Sequence, residues 1–282
     1  MKMKAPDSGI YPGVAWIEYE AWDAANNSLL RILHDRSPAH GKEWLDNPLE
    51  PTDAFVFGHA LHCRILETDK FPERFILAPD CDRRTKAGKE LYAAFEAGSG
   101  GKQILKAPDY DCIQKIAAQI EKHKAMNFVK GGAAEVCIVW EDRKTKVLCK
   151  ARLDYIHAER GIMVDIKTTR DASPDDFARS IYQYGYYQQV GFYADGWETL
   201  TGDPLVCVIL ACEKEPPYAI AVYELHEEIL YAGRNAYEKA LKTYAKCRET
   251  GEWPSYFEGV QILNLPKWAL EKAGVGPHNL QV

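Results

Sequence analysis

The chain has no long apolar run. Its longest, Leu205 to Cys212, falls far short of the roughly 20 residues that a helix needs to cross a bilayer. It has no surplus of positive charge: 35 Lys and Arg stand against 41 Asp and Glu, a formal net charge of −6. A chain that grips nucleic acid over its whole surface is basic, so contact with a polyanion would have to run through a local basic patch. None of its eight cysteines forms a CxxC pair, which argues against a zinc ribbon or a disulfide scaffold. Most of them lie in apolar runs and read as reduced, buried small hydrophobes. The opening residues, MKMKAPDSGIYPG, lack the apolar stretch of a secretory signal. The expectation is a soluble cytoplasmic protein with no membrane contact. There is no internal repeat and no low-complexity tract.

What is present is enough apolar material for a core, 46% of 282 residues, in a telling order. The first part reads as helical. Asn27 or Ser28 can cap "LLRILHD", with Pro38 ending it and a loop running to Pro51; Thr52 then caps "DAFVFGHALHCRILE". After a basic stretch and a short helix, "PDYDCIQKIAAQIEKHKAMNFV" is amphipathic. From residue 134 the pattern changes to strands: "AEVCIVWED", "KVLCKARLDYI" and "GIMVDIKTT". A helix is expected over "SPDDFARSIYQYGYYQQVGFYADG", with Ser173 at N-cap, Pro174 at N1 and acids in the first turn. Strands "PLVCVILACE" and "YAIAVYEL" and a helix over residues 226 to 249 follow. This order predicts one α/β domain over residues 1–282, with a mixed central sheet of about five strands flanked by helices. Its parts are a mainly helical 1–130, a sheet and motif helix over 131–225, and a C-terminal helix and tail over 226–282.

The chemistry concentrates in one hairpin. A turn centred on Glu159 and Arg160 puts Asp154 directly opposite Asp165, with Cβ atoms about 5 Å apart. Lys167 projects on the same face as Asp165. If Gly161 lengthened the loop, the register would slip by one and this geometry would fail. Two carboxylates so close need a proton or a cation between them. A divalent ion with hard oxygen ligands fits, and a lysine beside it could orient or deprotonate water and stabilise charge on a phosphorus centre. The plain alternative is an ion-pair ladder on an exposed sheet face, with Arg152 pairing one aspartate.

Three other features invite two readings each. His59 and His62 share a helix face but lack further zinc ligands, and His59 reads as a packing residue. Tyr182, Tyr186, Gln189 and Tyr193 form a stripe that reads either as core or, where Gln189 interrupts it, as a face turned to the carboxylates; Tyr193 could then stack on a base or bond a phosphate. Arg83, Arg84 and Lys86 form either a solvated turn or a phosphate-gripping loop.

In order, "FGHALHCRILE", "RRTKAGK", "CKARLDYI", "VDIKTT", "QQVGFYADG" and the tail "WPSY…LPKWA" together resemble the RecE-like branch of the PD-(D/E)xK nuclease superfamily, over residues 28 to 270. The resemblance implies a restriction-endonuclease-like core. It implies a Mg²⁺-dependent 5′-to-3′ exonuclease on one strand of linear double-stranded DNA, of phage or prophage origin, serving recombination by single-strand annealing. An endonuclease on the same fold, or a non-catalytic DNA-binding module, stays open as an alternative. His62, Asp154, Asp165 and the Ile166 carbonyl are the implied metal ligands, Lys167 is the catalytic lysine, and Gln189 and Tyr193 form a Q-xxx-Y motif. Mn²⁺ suits the same oxygen-rich site. No iron–sulfur cluster is expected, because the tail lacks the cysteine spacing. The implied partners are DNA ends, a single-strand annealing protein and further copies of the chain in a ring.

Overall fold

The computed structural model describes residues 2–48 and 51–274; the last residues of the expected domain, 275–282, lie outside them. The helical first part comprises β1 (Gly9–Tyr11), α1 (Trp16–Ala21), α2 (Asn27–Asp35), α3 (Pro38–Asp46), α4 (Asp53–Leu66), α5 (Phe71–Arg74), β2 (Phe75–Leu77), α6 (Lys86–Gly98), β3 (Gln103–Leu105) and α7 (Ala107–Lys122). Then come β4 (Ala133–Glu141), β5 (Leu148–His157), β6 (Ile162–Thr169), α8 (Pro174–Gln183), α9 (Tyr186–Thr201), β7 (Val206–Glu213), β8 (Ile220–Glu224), α10 (Glu227–Thr250) and α11 (Lys267–Lys272).

The strands form a six-stranded sheet in the order β1-β4-β5-β6-β7-β8. All neighbours are antiparallel except β6 and β7. A parallel pair needs a long crossover, and α8 and α9 supply it. The mixed α/β fold is as expected, with one strand more. That strand, β1, has only three residues along the edge of β4, too few to show a period. A separate small sheet pairs β2 with β3.

The central strands are buried on both faces, so they read as nearly continuous apolar runs. One face carries Val136, Ile138, Trp140, Ile209 and Ala211 against α2, α8, α9 and α10. The other carries Val164, Ile166, Val208 and Leu210 against α4 and α7. The α9–α10 contact is close because both helices offer glycine. A Cβ on Gly233 would lie 1.9 Å from the Tyr187 carbonyl oxygen, so any larger residue there would push α9 off its seat. On β5, buried Lys150 donates to the carbonyls of Tyr19, Glu20 and Trp22 at 2.7, 3.1 and 2.8 Å. The last carbonyls of α1 thus find a donor on β5.

Four local expectations need correction. Asn26, one residue before the expected cap, accepts from the Leu29 N–H and starts α2. Pro38 opens α3 instead of a loop, because proline's missing N–H costs nothing at a helix start. The expected helix from Ser173 is two helices. Gly185 takes a left-handed conformation at φ 67° and separates α8 from α9. Tyr182 therefore leaves the stripe of Tyr186, Gln189 and Tyr193, and its side chain is exposed. The eight cysteines are all free, and six are buried.

Candidate active site

The hairpin of β5 and β6 pairs Tyr155 with Val164, Ile156 with Met163 and His157 with Ile162. That is the expected register. The loop is a short 3₁₀ turn over Ala158–Arg160 closed by Gly161 in the left-handed region at φ 60°, so Gly161 lengthens the loop without shifting its centre. The ladder stops at Tyr155 and Val164, and Asp154 and Asp165 are the next residues outward. There β5 no longer bonds backbone to backbone: Asp154 Oδ2 accepts the Ile166 N–H at 2.8 Å. The carboxylate thus takes the place of a ladder partner.

Asp165 is 2% exposed. Its Oδ1 accepts from Gln189 Nε2 on α9 at 2.6 Å. Its Oδ2 forms an ion pair with Lys167 Nζ at 2.7 Å, which compensates a carboxylate that would otherwise be costly to bury. Burial pushes the Asp165 carboxyl up, and the Asp154 charge adds to this against the pull of Lys167. Asp154 moves the other way: burial would raise it, but His62, Lys167 and the Ile166 N–H together hold it below the usual carboxylate range. Burial disfavours the Lys167 ammonium, but Asp165 and Asp154 outweigh that and keep it a cation.

His62, on α4, faces the same acids. Its Nε2 lies 2.9 Å from the Ile166 carbonyl, which can only accept, so that nitrogen carries a proton. Its Nδ1 is 3.5 Å from Asp154 Oδ1. Burial works against its charge, but Asp154 prevails and lifts the imidazole to about 9. The imidazolium therefore sits between two oxygens, Asp154 Oδ1 and Ile166 O, that the family resemblance gives to a metal. His59 packs against Phe55 and Trp16, with ring centroids 4.1 and 4.4 Å away, and burial lowers it to about 4.

Glu135, on β4, completes the cluster and was not anticipated from the sequence. Ligand atoms of His62, Glu135 and Asp154 all lie within 4.8 Å of one another. Glu135 stands beside Asp154 across the β4–β5 ladder, between the pairs Ala134↔Tyr155 and Val136↔Leu153. Its φ is 53°, a conformation that a non-glycine residue in a strand rarely takes and that marks functional sites. Arg152 donates from Nε to Glu135 Oε2 at 2.5 Å and from Nη1 to the Val14 carbonyl at 2.9 Å. Arg152 thus pairs with Glu135 and with neither aspartate. A glutamate opening the apolar run "VCIVW" was the available hint, but nothing in its spacing set it apart.

Each acid shows the same design. One oxygen of Asp165, Asp154 and Glu135 is anchored by Gln189, the Ile166 N–H and Arg152 respectively. That fixes the carboxylate and leaves its second oxygen for another partner. The imidazole of His62 and the carboxylates of Glu135 and Asp154, with ligand atoms within 4.8 Å of one another, fit a divalent cation, so the residues present can hold one.

The remaining expected residues lie differently. Tyr193 is half-buried against the core. Burial raises its phenol, and Asp165 and Asp154 raise it further, so it adjoins the acids more than it offers a stacking face. Arg83 lies over the Tyr92 ring at 3.9 Å, Arg84 pairs with Asp82, and Lys86 reaches Glu90 at 3.9 Å. Among the described residues none of the three bonds to the acidic cluster.

A family model described as a PDDEXK-like domain of unknown function, DUF3799, matches residues 28–266. The chain belongs to this PDDEXK-like family. The crystal structure of an Eubacterium rectale protein, named as a candidate exonuclease, superposes with a TM-score of 0.61 over 89% of this chain and 92% of that one, at 18% identity; the likeness is one of fold. A protein designated SSO0001 aligns over 64% of this chain and 85% of its own at 19% identity, but its TM-score of 0.29 carries no argument. No curated protein matches the sequence. No helix among the described residues is long and apolar enough to cross a membrane.

Proposed function

We propose that this PDDEXK-like protein is a metal-dependent nuclease of the RecE-like kind, a 5′-to-3′ exonuclease that degrades one strand of linear double-stranded DNA. The observation that carries the proposal is the cluster of His62, Glu135 and Asp154, with ligand atoms within 4.8 Å of one another, beside the buried Asp165–Lys167 ion pair. The exonuclease name given to the Eubacterium rectale protein agrees with it. Asp165, Asp154, Glu135 and His62 would hold the ion, Mg²⁺ or Mn²⁺, which supplies polarisation of the phosphate and of the attacking water.

The chain's own residues do the rest. Gln189 holds Asp165 by one oxygen, so the other cannot rotate away. Arg152 does the same for Glu135, itself fixed by the Val14 carbonyl. Asp165 and Asp154 favour the ammonium form of Lys167, which donates hydrogen bonds and stabilises charge developing on the phosphate. His62 must release a proton before a ring nitrogen can ligate. The partners that accompany this reading are DNA ends, an annealing protein and further copies of the chain in a ring whose channel gathers the basic side chains.

The test is digestion of 5′-end-labelled linear duplex with and without Mg²⁺, beside a covalently closed circle. The expected result is metal-dependent release of nucleotides from 5′ ends with the circle intact. Absence of hydrolysis under all metal conditions would overturn the nuclease reading, and cutting of the circle would assign an endonuclease.

A further inference from the structure

The break between α8 and α9 builds a second feature beside the acidic cluster. A cavity of about 710 Å³ opens there, lined by Thr168, Arg170, Ser180, Tyr184, Tyr186 and Lys214 among others. Its volume lies within the range of roughly 300–1,000 Å³ common for ligand sites. Tyr186 is its inner wall, and the Lys167 ammonium lies 4.9 Å from the centre of that ring. Cavity and acidic cluster are therefore one aromatic ring apart. Tyr184, 55% exposed, stands at the outer side with its ring centroid 5.7 Å from that of Tyr186.

The charges around the cavity are unevenly used. Asp176 pairs with Arg179 at 2.6 Å, and Asp171 accepts the Ser173 N–H at 2.8 Å. Among the described residues Arg170 and Lys214 line the cavity without an acidic partner within 4 Å, the Lys214 ammonium lying 5.9 Å from the centre of the Phe57 ring. The wall is also braced: Arg31 donates to the Gln183 carbonyl at 2.6 Å, which holds the end of α8 while Gly185 turns the chain. A firm aromatic face, two available cations and hydroxyls together suit a nucleotide. The base stacks, the cations meet phosphate, and no base edge is read.

We propose that this cavity binds one nucleotide of the DNA strand next to the phosphate that Lys167 serves, its base stacking on Tyr184 and its phosphate held by Arg170 and Lys214. The rise along a strand is about 3.4 Å per nucleotide, so a site one ring from Lys167 is one or two nucleotides from the cut. The inference rests on the nuclease reading for its substrate. Its effect is on strand affinity and so on KM, with kcat left nearly unchanged. Because every base has a stacking face, the site tolerates any sequence and fails at a gap in the bases.

The experiment uses the full chain and a fluorescein-labelled duplex with a single-stranded extension. Anisotropy in EDTA measures binding without cleavage, and single-nucleotide release in Mg²⁺ measures KM and kcat. Tyr184→Ala is expected to weaken binding and raise KM roughly tenfold, while Tyr184→Phe keeps both. Arg170→Ala is expected to lower the slope of log affinity against log salt by about one. Tyr231→Ala, at an exposed position on α10, serves as the unchanged control. Wild-type protein is expected to pause at a single abasic position, and Tyr184→Ala to lose that pause. If the wild type cuts DNA and Tyr184→Ala matches it in binding, KM and pausing, the cavity inference is overturned and the nuclease reading stands. If binding depends on Tyr184 but no hydrolysis occurs, the cavity stands and the nuclease reading falls.

Discussion

The acidic cluster has two halves that solve one problem differently. On the β6–α9 side, Asp165 is buried with a lysine and an amide for company, and its carboxyl is pushed up. On the β4–β5–α4 side, Asp154 faces an imidazolium and a backbone N–H, and its carboxyl is held down. Two like side chains on adjoining strands are driven apart by what α4 and α9 bring to them. The first half is compensated by the Lys167 ammonium, and the second by His62. An incoming cation competes with a permanent cation in the first half and with a titratable one in the second. The halves should therefore respond differently to substitution, metal and pH.

The largest contrast lies in chemistry. Asp165→Ala and Lys167→Ala should each lower DNA hydrolysis by at least about 10³-fold with folding retained. Single-turnover digestion beside a thermal melt checks this, and near-normal turnover in either variant would remove that half from the site. Next comes the newly found acid. Glu135→Gln and Arg152→Met should each weaken Mn²⁺ binding by about 10–100-fold, the second only by freeing Glu135 to rotate. Calorimetric titration measures both, and unchanged affinity in Glu135→Gln would confine the ion to the two aspartates. Gln189→Ala should act more weakly, about tenfold on metal affinity, because Asp165 stays present and loses only its anchor.

The smallest effect is on stability and belongs to the His62 half. The imidazole rises from an ordinary value of 6.5 to about 9 in the fold. A raised pKa stabilises the fold fully below about 6.5, and that contribution is lost as the pH climbs through about 9. In EDTA, the stability difference between wild type and His62→Gln should shrink over this window by at most about 3 kcal/mol. Denaturant melts at pH 6 and pH 9.5 would show it; a constant difference would mean that the imidazole is not held charged.

The same division separates what could be read in the sequence from what could not. The β6 side is local. The hairpin turn sets the β5–β6 register, the alternation of a strand puts Lys167 with Asp165, and Gln189 follows on the next helices. Proximity in the chain made these relations legible, although the α8–α9 break at Gly185 was not, because the tyrosines around it kept a helical spacing. Glu135 depends instead on which strand lies beside β5 and on an unusual φ, and neither leaves a local pattern. The short β1 and α3 escaped for a related reason: three residues hold no period, and a proline reads equally as an end or a start. Arg152 seemed free to pair with an aspartate until β4 brought Glu135 within its reach.

The central claim is that anchored carboxylates from β4, β5 and β6 present their second oxygens to one divalent cation. Titration of metal-stripped wild-type and Asp165→Asn protein with Mn²⁺, followed by calorimetry, tests it most directly. The account predicts saturable binding to the wild type with proton release, and affinity at least about 100-fold weaker in Asp165→Asn. Equal affinity in the two proteins, or no binding to the wild type, would contradict it.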